Sequence, residues 1–153
     1  MNTKELATKA HEIKLRCAEI CVARGIGHIT SALSCAEIMT VLYYSVMRYD
    51  HKNPEWPGRD RFVMSKNHGS VITYPIFADI GYITDDFLNT FECDGSILGA
   101  HSKIYVPGCE FSGGSLGIGL GVACGMAWAA KSEKSDRLVF CLTGDSECQE
   151  GSI

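Results

Sequence analysis

Residues 137–153 read RLVFCLTGDSECQEGSI, and this stretch decides the fold. An apolar run, Leu138 to Leu142, leads into Thr143, Gly144 and Asp145. A short continuous apolar run bounded by a turn suits a strand buried on both faces. Strands of that kind belong to parallel sheets covered by helices, and ligands gather at the carboxyl ends of such strands. Asp145 is therefore a candidate ligand of a hard cation, Mg²⁺ or Ca²⁺, which commonly bridges a carboxylate to phosphate oxygens. Gly144 lets the backbone approach a ligand closely, and nearby N–H groups are available to a diphosphate. A plain Asx turn closing a strand is the alternative reading.

RFVM at 61–64 reads as a second strand, followed by the turn SKNHGS at 65–70. Residues 3–24 read as a helix, with Leu6, Ala10, Ile13, Cys17, Ile20 and Cys21 at spacings of three and four. SCAE at 34–37 has capping-box form and opens a second helix, with Ile38, Val41, Leu42 and Val46 on one face. HKNPEWPGRD at 51–60 is a polar loop. Residues 70–80 read as a helix stopped by Gly81, and 84–91 as a short helix capped by Thr84. Residues 92–114 are glycine-rich and irregular, 115–131 an apolar helix, and 137–143 the closing strand. The pattern is α/β with a parallel sheet, and the turns to inspect are 65–70 and 143–150.

The 153 residues suit one domain; 46% are apolar and 21% charged, the profile of a globular rather than a disordered chain. A net charge of −4 gives no basic footprint for nucleic acid. The first residues, MNTKELATKAHEIK, lack the apolar core of a signal peptide, and no run reaches the length of a membrane span. None of the eight cysteines forms a C-x-x-C pair, which disfavours a zinc knuckle. Cys17, Cys21, Cys124 and Cys141 read as small buried hydrophobes, and the expected compartment is the reducing cytoplasm.

Gly113 and Gly114 precede a helix start and offer unhindered N–H groups, but no G-x-G-x-x-G follows a strand, which disfavours a Rossmann dinucleotide site. Gly117, Gly121 and Gly125 recur every four residues and read as a packing groove. His28, His68 and His101 each sit in a glycine-flanked turn, where histidine can bond phosphate or sugar hydroxyls, so the three are candidates for one shared site. His11 and His51 read as surface residues.

Five pieces together, GHITSALSCAEIMTVLYY, DRFVMSKNHGS, DGSILGAHSK, PGCEFSGGSLGIGLGVACGMAWAAK and LTGDSECQEGS, resemble in order the thiamine-diphosphate-binding N-terminal region of transketolases, particularly the form split into two subunits. The resemblance implies a three-layer α/β thiamine-diphosphate fold, with 1–153 as one partial diphosphate-binding domain, incomplete at its C-terminal side. It implies that His28 and His101 face the donor sugar and that His68 lies near the cofactor diphosphate. It also implies that Gly114, Ser115 and Leu116 contact the aminopyrimidine, and that Asp145 is a Mg²⁺ ligand beside Gly144 and Ser146. Glu150 matches an acid implicated in communication between the sites of a dimer.

Two departures stand out: Ser146 replaces the second glycine of the family's Gly-Asp-Gly, and Asn67 stands where a glycine commonly precedes the histidine. The family's second metal ligand, an Asn, lies farther along than residue 153, and the pyrimidine-binding domain is not in this sequence. The expected activity is transfer of a two-carbon ketol unit between sugar phosphates, by a chain inactive alone. Its expected partner is a C-terminal transketolase subunit, in a homo-dimer or hetero-tetramer, with no nucleic acid or membrane partner. The alternatives are a non-catalytic fragment or paralogue keeping the fold, or another thiamine-diphosphate enzyme such as a deoxyxylulose-phosphate synthase. An open strand edge and an uncovered apolar face also lead to the expectation of self-association.

Overall fold

The structure, a computed structural model, describes residues 1–153. Helix α1 spans Thr3–Arg24 and starts on a capping box: Asn2 Oδ1 accepts from Glu5 N at 3.0 Å, and Asn2 N donates to Glu5 Oε2 at 2.8 Å. Gly25 ends it in the left-handed region at φ 64°. Its inner stripe is Ala10, Ile13, Cys17, Ile20 and Cys21, as the spacing predicts. Next come α2, Ile29–Leu33, and α3, Ala36–Val41, which runs into a π turn at Leu42–Val46.

Strand β1, Arg61–Met64, pairs in parallel with β2, Val139–Leu142, in the register Phe62 with Phe140 and Met64 with Leu142. Between them lie a 3₁₀ turn at Asn67–Ile72, α4 (Thr73–Asp79), α5 (Asp85–Leu88) and α6 (Ile118–Ser132). Side chains alternate across the sheet. Phe62 and Met64 join the main core with Ile13, Met39, Tyr43, Ile76 and Phe77, and Phe140 and Leu142 pack against it. Helix α6 packs over both strands, and the Cys141 thiol lies near Cys124 of that helix. Helix, sheet and helix thus form three layers, the expected α/β arrangement. No helix is long and apolar enough to cross a membrane.

Asp60 ties the strand starts together. Its buried carboxylate accepts from Leu138 N at 2.7 Å and from Arg48 N and Nη2, both at 2.9 Å.

Several local expectations change. SCAE forms no capping box: Ser34 Oγ donates instead to Ser31 O at 2.9 Å, and Cys35 is the N-cap of α3 without a side-chain capping bond. Ile38, Val41 and Val46 point outward, because Ala36, Met39 and Tyr43 take the core face. The helix expected from residue 70 starts at Thr73 after a 3₁₀ turn, and the one expected from 115 starts at Ile118. Thr84 does cap α5, accepting from Phe87 N, and Gly81 is left-handed at φ 84°. Cys17 and Cys21 are buried as expected, but Cys124 is exposed and Cys141 half-buried. The expected glycine groove divides: Gly121 and Gly125 face open space, Gly117 packs closely on Ser152 and Glu150, and a further close approach is at Gly119, where a Cβ would stand 2.6 Å from Ser65 Cα.

Candidate functional site

The paired strands end level, since Ser65 N and Lys66 N both donate to Leu142 O, at 2.9 and 3.3 Å. The turns 65–70 and 143–150 therefore leave the sheet side by side. That is the edge where an α/β sheet presents ligands.

Three imidazoles converge here from distant parts of the chain. His28 precedes α2, His68 lies in the first turn after β1, and His101 lies in the irregular segment before α6. The ring centroids of His28 and His68 are 5.6 Å apart, and those of His28 and His101 are 5.8 Å apart, both edge-on. Burial, followed by the neighbouring His28, Lys66 and His101, pushes the His68 pKa below its ordinary value, against the pull of Glu147. His68 is thereby favoured in its neutral form, able to donate from one ring nitrogen and accept at the other. Lys66 supports the wall beside it, its Nζ donating to Ser31 O at 2.9 Å and Ser34 Oγ at 3.1 Å.

Glu147 organises the strand ends. Only 1% exposed, its carboxylate accepts from Ser65 Oγ at 2.6 Å, Gly117 N at 2.8 Å and Gly144 N at 2.9 Å. Burial raises its pKa, but those three donors outweigh burial and hold it below the usual carboxylate range. One side chain thus fastens the start of α6 to the turn after β2. Glycine suits position 117 because its φ is 83°, and a Cβ there would also push Ser152 Oγ aside.

Asp145 is exposed and opens the 3₁₀ turn Ser146–Gln149 without a side-chain capping bond, so its carboxylate is available to a ligand. Ser146 causes no strain, because left-handed φ outside glycine is confined to Glu92 and Lys134. Asn67 is not left-handed either; its side chain is buried and bonded to Ser102. Gly114 and Ser115 are exposed and Leu116 is half-buried; a Cβ on Gly114 would meet nothing within 4 Å. Glu150 is exposed beside the α6 start, its Cβ 3.1 Å from where a Gly117 Cβ would be. No cluster of three His, Cys, Asp or Glu could by itself hold a metal ion, so Asp145 would contribute one ligand among others.

These residues fit a diphosphate bound through a divalent cation: an unpartnered carboxylate, open backbone at Gly114 and three imidazoles on one edge. Composition and motif spacing miss Glu147, Lys66 and Asn67. Only the place of Glu147 within the Gly-Asp turn hints at a local role.

The chain matches, over residues 7–153, the family model of the transketolase, thiamine diphosphate binding domain. It is 40% identical over 153 residues to one of the subunits of apulose-4-phosphate transketolase from Phocaeicola vulgatus, covering all of this chain and 54% of that one. It is 40% identical over 149 residues to transketolase from Pongo abelii, of which it covers 24%. Among solved structures, transketolase from Campylobacter jejuni superposes with a TM-score of 0.92 at 33% identity, over 99% of this chain and 25% of that one. The chain thus spans about half the length of the split-subunit relative and about a quarter of the others. It belongs to the transketolase thiamine-diphosphate-binding domain family.

Proposed function

We propose that residues 1–153 form one diphosphate-binding domain of a transketolase that moves a two-carbon ketol unit between sugar phosphates. The observation that carries this reading is the meeting of His28, His68 and His101 at the strand ends that also present Asp145. Asp145 would be a ligand of Mg²⁺, or of Ca²⁺ in its place. Gly144, Ser146 and His68 face the diphosphate, the first two through backbone, and Gly114, Ser115 and Leu116 face the aminopyrimidine. Bound thiamine diphosphate supplies the carbanion chemistry. His28 and His101 bond and orient the donor sugar and can move protons at its hydroxyls. Glu150, at the base of α6, acts between the two sites of a dimer.

The domain works in the cytoplasm with a second chain or domain that binds the pyrimidine, in a homo-dimer or a hetero-tetramer. The split-subunit relative supports the presence of a partner chain. Residues 1–153 alone are not competent, and turnover of a ketose-phosphate and aldose-phosphate pair by that segment with Mg²⁺ and cofactor would overturn this. In the full protein with its partner, Asp145→Ala should weaken Mg²⁺-dependent cofactor binding by about 100-fold or more in calorimetry, since outer partners of a metal already cost 10–100-fold. Unchanged affinity would remove the metal role.

A further inference from the structure

Asn67 directly precedes His68, and its side chain is 0% exposed. Its Oδ1 accepts from Ser102 N at 2.9 Å. Its Nδ2 donates to Ser102 Oγ at 2.7 Å and to Met64 O at 3.4 Å. Ser102, next to His101, passes the link on: its carbonyl accepts from Gly113 N at 3.3 Å. One amide therefore joins the turn carrying His68, the loop carrying His101 and the segment leading into Gly114–Leu116. The space around it is full, since a Cβ on Gly113 would overlap Asn67 Nδ2. The side chain at 67 therefore requires a bare backbone at 113.

We propose that Asn67 is a positioning residue whose amide clamps the His101 loop and the Gly113–Leu116 segment onto the His68 turn, with Gly113 as its steric partner. The clamp sets the spacing at which His68 and His101 meet a ligand, and this part rests on the reading of those histidines as facing cofactor and donor sugar. Asparagine suits the place because a short planar group offers acceptor and donor together. Aspartate would have no N–H for Met64 O, and glycine would leave the buried Ser102 N–H and hydroxyl without their partner.

The test uses the full protein, together with its partner chain if it has one, and the variants Asn67→Gly, Gly113→Ala and both together. Gly113→Ala and Asn67→Gly should each lower the Tm, and the double variant should lose clearly less than the two losses summed, because with the amide gone only Phe111 Cζ, 2.9 Å away, still crowds the new Cβ. Additive losses would overturn the steric pairing. Asn67→Gly alone should lower kcat with a ketose-phosphate donor by roughly 10- to 100-fold through misplacement of the histidines. It should also shift the imidazole ¹H–¹⁵N signals of His68 and His101. Unchanged kcat and unchanged imidazole signals would overturn the positioning role. Should Asn67→Gly fail to fold, Ser102→Ala removes only the hydroxyl partner; a smaller imidazole shift supports the clamp, and none overturns it. A wild-type protein that binds no thiamine diphosphate sinks the functional reading, while the Tm coupling still decides the clamp.

Discussion

Strands β1 and β2 carry comparable apolar sequences, RFVM and VFCL, and pair residue for residue, yet they are covered differently. Phe62, Val63 and Met64 are at most 5% exposed, whereas every residue of β2 is half-buried. The helices from α1 to α4 close over β1. Beside β2, α6 keeps its inner face on the sheet and leaves Trp128 75% exposed. An apolar pattern therefore specifies that a strand forms, while its contribution to stability depends on neighbours far away in sequence.

Substitutions at the Phe62–Phe140 pair test this difference in cover most strongly. Phe62→Ala should cost about 3–5 kcal/mol in urea unfolding, the usual range for a buried phenylalanine, and Phe140→Ala about half of that. Equal costs would mean that β2 is as well covered as β1. Asp60→Ala, which cuts the tie between the strand starts, should cost about 2–3 kcal/mol, because Leu138 N–H and Arg48 lose a charged acceptor. Burial opposes the charge of Asp60, but the Arg48 side chain, Arg48 N–H and Leu138 N–H outweigh it and hold the carboxyl below its ordinary value. A lowered folded pKa contributes stability above the unfolded value, about 4, that is lost as pH falls through the folded one. The acid loss of stability should thus be shallower in Asp60→Ala than in the parent; identical slopes would remove the assignment.

The smallest effects separate the two faces of α6. Gly119→Ala should destabilise by about 1–3 kcal/mol, since the new methyl meets the Ser65 backbone. Gly121→Ala, in open space within the helix, should stabilise by about 0.5–1 kcal/mol through helix propensity. A cost at Gly121 in the full protein would show that another surface lies close against that face.

Elements whose cause is local were legible in the sequence. Helix α1 runs over the residues its periodicity marks, and its termination at Gly25 follows from glycine's freedom. Both strands were legible from their apolar runs, and the two turns worth inspecting from the parallel-sheet rule. The orientation of α3 was not, because apolar residues lie on several of its sides, and only packing by Met39 and Tyr43 chooses among them. Ser34 illustrates the same limit: its hydroxyl had two backbone options, and the preceding short helix offered Ser31 O. The three histidines were legible as turn residues and as candidates for one shared site, and the family resemblance added the roles expected of each. Asn67 and Glu147 act on Ser102, Gly117 and Ser65, distant in sequence, so composition could not reveal their parts.

The parallel pairing also has a kinetic side. Arg61 meets Val139 only after most of the intervening chain has been gathered in, and long-range closures of this kind slow folding. The edge bearing His68 and Asp145 depends on that closure. A ligand that binds there recognises a surface that exists only once the two strands have paired. It should slow the escape from the native state and leave the approach to it nearly unchanged.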